Sequence, residues 1–220
     1  MLKALVLKEL RETAWIAAVG LLAHLGFVAN CTGHAVLPFW TIRGSLEIPF
    51  LDSGFLASFC FVSVAIAVTL GLRQTAVESG RGTWLFLLHR PVSVRRILAA
   101  KLAVGLGLYL LCGLIPILSY AAWAAMPGKH PSPFYWWMTA DAWMAWCVIC
   151  IVYLAAFLAG IRPARWFGTR LLPLAGAGLL AVVSVLAFIF WPVLGIAVLL
   201  LLAACLLGLI LFTARTRDFS

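Results

Sequence analysis

Residues 171–213 read LLPLAGAGLLAVVSVLAFIFWPVLGIAVLLLLAACLLGLILFT. Two apolar runs, 171–190 and 192–213, meet at Phe190-Trp191-Pro192. Each supplies the roughly 20 residues that a helix needs to cross a hydrocarbon core about 30 Å thick. Proline cannot continue the first helix, so the pair reads as a tight hairpin of two crossings. Toward the N-terminus, four more runs of this kind lie at about 139–161, 93–125, 53–72 and 13–30. The run at 93–125 is long enough for a crossing plus an interfacial turn.

Composition points the same way. Of 220 residues, 65% are hydrophobic and 10% charged, with a mean hydropathy of +1.11. Soluble domains carry about 25% charged residues. The predicted fold is therefore all-α: a polytopic integral membrane protein with six transmembrane helices, forming a single domain over residues 1–220. No connection leaves room for a soluble domain. Lys3, Lys8, Glu9, Arg11 and Glu12 crowd the N-terminus, which does not read as a cleavable signal because signals are acid-poor.

A net charge of +9 could suggest nucleic acid, but its placement points away from it. Fourteen of the sixteen basic residues fall on one side of the six runs, against Arg43 and Lys129 on the other. Cationic loops face the cytoplasm, so both termini are expected inside a cell (plasma or inner) membrane. The ten tryptophans are expected mainly as interface anchors, with Trp15, Trp84 and Trp166 at the inner boundary. Trp143 and Trp146 lie deeper and read as packing residues. The six cysteines include Cys147-Val-Ile-Cys150, whose CxxC spacing occurs in redox and metal sites. Here the pair lies mid-helix with no second cysteine pair and no nearby histidine, so packing is expected and no metal is assigned.

Residues 1–12, MLKALVLKELRE, read as an interfacial helix lying on the inner surface. Leu2, Leu5, Val6 and Leu10 share one arc, Lys8, Arg11 and Glu12 another, while Lys3 and Glu9 blur the edges. A solvated basic lead-in to the first crossing is the alternative. Small residues four apart, Ala99, Ala103 and Gly107 in the third run and Ala155/Ala159 and Ala156/Gly160 in the fourth, allow close helix contacts. They suit intrachain packing and dimer contacts equally.

Residues 78–101, ESGRGTWLFLLHRPVSVRRILAAK, combine charge, turn chemistry and hydrophobicity between the second and third crossings. Gly80 and Gly82 allow a sharp turn. The apolar run 83–88 is too short to cross a bilayer, Arg81 and Arg90 bracket it, and Pro91 stops it. Ser93 suits a helix N-cap, and Arg95, Arg96 and Lys101 are expected to anchor the next helix by snorkelling to the inner interface. The physics allows either a short helix docking on a partner or an ordinary basic loop.

Glu78, Gly82-Thr83, the run ending in Leu87-Leu88, Arg90-Pro91-Val92-Ser93, Arg95-Arg96-Ile97-Leu98 and Lys101 resemble the signature loop of ABC (ATP-binding-cassette) transporter permeases of the type-2 exporter class. Leu7-Lys8-Glu9-Leu10-Arg11-Glu12 is similar to their N-terminal interfacial helix, with Lys8, Glu9, Arg11 and Glu12 as its polar residues. The resemblance implies a coupling segment of Glu78, Arg81, Gly82, Thr83, Trp84, Leu85, Phe86, Leu87, Leu88, His89, Arg90 and Pro91, with a helix over 83–89 docking on an ATPase subunit. It implies two permeases, as homodimer or heterodimer, working with two ATPases in the lipid bilayer. It also implies that ATP and Mg are held by the partner, with no cofactor on this chain. Many relatives have short re-entrant helices in the last outer connection, for which 190–193 has no room.

No GxxxxGK[ST] is present to cradle phosphates, so a nucleotide is expected on a separate polypeptide. The chain itself is not expected to be an enzyme. An intramembrane enzyme is the main alternative, and it would need cooperating ionisable groups in lipid. His24 is the only ionisable group near the middle of a run, and no nucleophile–base motif accompanies it. Channels line their paths with repeated polar groups, and the last two runs offer only Ser184. A non-transporting membrane anchor or assembly subunit is the remaining alternative.

Overall fold

A computed structural model describes residues 2–34, 48–51, 53–80, 93–128, 133–162 and 169–216. Its long helices are α1 (Leu2–Cys31), α2 (Ser53–Gly80), α3 (Val94–Ala124), α4 (Ala140–Ile161), α5 (Leu172–Phe190) and α6 (Pro192–Thr216). Single 3-10 turns, Trp136–Thr139 and Thr169–Leu171, lead into α4 and α5. All six helices are long and apolar enough to cross a bilayer, the shortest span being 22 residues, or about 33 Å at 1.5 Å per residue. This is the architecture of a multi-pass membrane protein.

The helices alternate in direction and pack unequally. α4 is the axis, buried almost continuously from Val148 to Ile161, with α2 and α3 on one side and α5 and α6 on the other. α1 lies across α2 and α3. Between helices that share an apolar solvent, backbone proximity replaces hydrophobic drive, and small residues set it. A Cβ placed on Gly71 of α2 would sit 2.8 Å from both the Ala156 Cβ and the Phe157 nitrogen, and one on Gly160 would strike Thr75 Oγ1. The α4 stripe is thus used within the chain. On α3, Ala99 and Ala103 face outward, and Gly107 has open space beside it. α5 and α6 present Leu179, Val182, Ile189, Val193, Leu200 and Phe212 outward, as lipid-facing helices do.

Local chemistry ends the helices. α1 stops in a Schellman motif: Gly33 takes φ +90°, His34 N donates to Ala29 O at 2.9 Å and Gly33 N to Asn30 O at 3.2 Å. At the end of α4, Arg170 donates to the carbonyls of Ala159 and Gly160 at 3.1 and 2.9 Å, placing a cation on the negative helix end. Ser93 sits at the N-cap of α3 with extended backbone, but its side chain makes no cap bond; its carbonyl accepts from Arg96 N at 2.9 Å.

Two expectations need correction. The separate interfacial helix over 1–12 is instead the first three turns of α1, unbroken through Cys31. Its inward face carries Leu5 and Glu9, with Leu5 packed on Ile97 and Ala100 of α3, while Leu7 and Leu10 face outward. Tertiary contact with α3 selects that face, which the mixed arc of charges obscured. The second run also extends past 72, as helix to Gly80. The expected coupling helix over 83–89 lies outside the described residues.

Candidate functional site

At the end of the bundle where α1, α3 and α5 begin, three buried charges meet a fourth at the edge. Lys101 enters α3 two turns after its start and is fully buried. Its Nζ donates to Glu9 Oε1 at 2.6 Å and lies 2.8 Å from Glu78 Oε2. The same ammonium reaches the Gln74 carbonyl at 3.3 Å. Lys8 Nζ, more exposed, donates to the other oxygen of Glu78 at 2.9 Å and lies 3.7 Å from Glu12. Glu78 therefore bridges two lysines, one from α1 and one from α3.

A second layer continues inward without charge. Gln74 Nε2 donates to the Lys101 carbonyl at 2.8 Å, and Tyr153 Oη of α4 donates to Gln74 Oε1 at 2.8 Å. Gly105 makes room for this: a Cβ there would collide with Tyr153 Oη and Gln74 Oε1. Side chains from α1, α2, α3 and α4 thus meet in one polar column.

Energetics explain why the column is complete. A lone ammonium or carboxylate taken out of water costs several kcal/mol even after relaxation, which close opposite charges and further hydrogen bonds must offset. Lys8, Lys101, Glu9 and Glu78 balance in charge, and at Lys101 two carboxylates and a carbonyl surround the ammonium. The arrangement fixes α1, α2 and α3 against one another, immediately before residues 81–92 leave α2.

The sequence-derived residues divide accordingly. Lys8, Glu9 and Glu78 come together, whereas Arg11 is exposed and Glu12, half-exposed at the edge, lies 3.7 Å from Lys8. Arg95 and Arg96 are exposed at the start of α3. Lys101, expected to snorkel outward, turns inward, because Glu9 and Glu78 face it and the carbonyl of Gln74 is within reach. Arg81, Gly82, Thr83, Trp84, Leu85, Phe86, Leu87, Leu88, His89, Arg90 and Pro91 lie outside the described residues. Gln74 and Tyr153 were missed. Both are uncharged, and nothing in the local sequence marks either as a polar partner of the network.

Two other polar features lie deeper. His24 Nε2 and Ser63 Oγ are 3.3 Å apart, both buried, with the His24 ring against Phe59 at 5.0 Å. Among the described residues no carboxylate completes this pair as a triad. Cys147 is exposed on α4 and Cys150 Sγ donates to the Trp146 carbonyl at 3.5 Å; both are free thiols. Among the described residues no three His, Cys, Asp or Glu side chains gather as a metal site.

Compared with known protein families, curated proteins and solved structures, the chain matches none. The six-helix membrane architecture rests on the helices themselves.

Proposed function

We propose that this chain is the membrane-spanning permease subunit of an ABC transporter of the type-2 exporter class, driven by a separate ATPase subunit. The observation that carries the reading is the ion network. The two stretches that resemble that family, 7–12 and 78–101, are far apart in sequence, and Lys8, Glu9, Glu78 and Lys101 join them within 2.6 to 2.9 Å. A segment that receives force from a peripheral subunit needs a rigid connection to several crossings at once, and Glu78 is such a connection at the last turn of α2.

In this reading the basic end faces the cytoplasm of a cell membrane, following the placement of arginine and lysine. ATP and Mg reside on the partner, which docks on residues 83–89. Its closure pulls the α2 end, and the network passes the displacement to α1 and α3. Two such permeases enclose a pathway, and the apolar interior suits export of a hydrophobic or amphipathic cargo. The chain carries no catalysis of its own.

The test is co-purification in mild detergent. A nucleotide-binding subunit is expected with the wild-type chain, and Leu87→Glu is expected to detach it while membrane insertion persists. Retention of the ATPase by the Leu87→Glu variant, or its absence from the wild type, contradicts the reading.

A further inference from the structure

On the outside of the bundle, α1 and α2 leave between them a groove of about 710 Å³. Ile16, Gly20, Val62 and Ile66 line it, and Trp15 and Phe61 stand on its rims, exposed by 59% and 70%. The hydroxyl of Thr69 bonds back to the Ala65 and Ile66 carbonyls at 2.7 and 3.1 Å, so that wall offers lipid no free donor. Along α2 the lining runs from Phe61 to Val77, about 24 Å at 1.5 Å per residue. One leaflet contributes about 15 Å of hydrocarbon. The groove is therefore longer than one leaflet's hydrocarbon, and it runs to the basic end of the bundle.

There it meets Arg73. Among the described residues this guanidinium has no acidic partner, because Glu9 and Glu78 are committed to Lys8 and Lys101. Arg11 is exposed one turn before Trp15 on the same side of α1. The contrasting groove between α4, α5 and α6 ends on Arg162, whose guanidinium already donates to the Thr169 carbonyl at 3.3 Å. A long apolar slot closed at one end by an uncommitted guanidinium matches a hydrocarbon chain that carries an anionic head.

We infer that the α1–α2 groove holds an acyl chain of an anionic phospholipid, with its headgroup phosphate on Arg73 and Arg11 beside it. Arginine binds phosphate through two parallel hydrogen bonds, and a headgroup at this position puts the Trp15 indole at the interfacial level where tryptophan is favoured. The site rests on the chain crossing a bilayer and stands whether or not an ATPase is its partner.

The test uses the full chain in mild detergent, offered equal amounts of palmitoyl-oleoyl phosphatidylglycerol and phosphatidylcholine, with retained lipid read by native mass spectrometry. The wild type is expected to retain phosphatidylglycerol preferentially. Arg73→Gln should reduce that preference about fivefold, the loss of one basic residue near an anionic group. Ala65→Trp, a filling of the exposed groove wall, should remove both lipids. Equal retention by the wild type, or an unchanged preference in Arg73→Gln, overturns the site. A photo-crosslinking residue at position 65 in whole membranes should gain the mass of a lipid. A protein-sized adduct there assigns the groove to a partner helix and overturns the inference.

Discussion

At the basic end of the bundle, four charges from three helices neutralise one another around Lys101; at the opposite end, rings fill the same space. Phe50, Phe55, Tyr120 and Trp123 form a continuous aromatic cluster, with Phe50–Tyr120 at 4.7 Å, Phe55–Tyr120 at 4.6 Å and Tyr120–Trp123 at 5.6 Å between centroids. Phe50 is held there at φ 66°, a conformation that a bulky residue keeps only when its surroundings fix it. The two closures differ in what they specify. Ring contacts are broad and tolerate exchange of similar shapes, whereas an ion network requires every partner at once.

The largest expected effect breaks the network at its centre. Lys101→Met leaves the buried Glu9 with only the half-exposed Lys8 3.8 Å away, while Glu78 keeps Lys8 at 2.9 Å, a loss of about 3–5 kcal/mol. The thermal midpoint in detergent should fall sharply, together with the yield of folded protein. A midpoint near that of the wild type would show that water or lipid headgroups replace the lysine.

The seam between the two ends gives an intermediate effect. Gly71→Ala forces a Cβ against the backbone of α4 at Phe157 and Tyr153, and helix separation should cost about 1–3 kcal/mol. The smallest effect belongs to the aromatic end. Phe55→Leu keeps most of the apolar volume and should cost less than about 1.5 kcal/mol in the same melting experiment. A larger loss from Phe55→Leu than from Lys101→Met would reverse the comparison between the ends.

The sequence made the architecture legible because crossing a bilayer leaves a long, local signal. All six runs appear as helices, and Pro192 starts α6 directly after Trp191 as its position in the hairpin required. The site was less legible. Glu9, Glu78 and Lys101 were each noticed, but for different reasons, since their pairing depends on which way α1 turns against α3. Glu9 looked like an imperfection in an amphipathic arc; it is instead the residue around which that face is organised. Lys101 looked like a snorkelling anchor because a lysine near a helix start normally reaches water, and only two facing acids draw it inward. Gln74 and Tyr153 carry no charge, and nothing local distinguishes them from packing residues.

Lys101 as the cation that holds Glu9 and Glu78 is tested most directly by rescue. The melting midpoint of Lys101→Met should be compared in one detergent with that of the triple variant Lys101→Met, Glu9→Gln, Glu78→Gln. Removing the two carboxylates should recover at least half of the lost stability, because the penalty lies in buried negative charge that the half-exposed Lys8 alone does not offset. A triple variant less stable than Lys101→Met alone would mean that the two carboxylates are held by something other than this lysine.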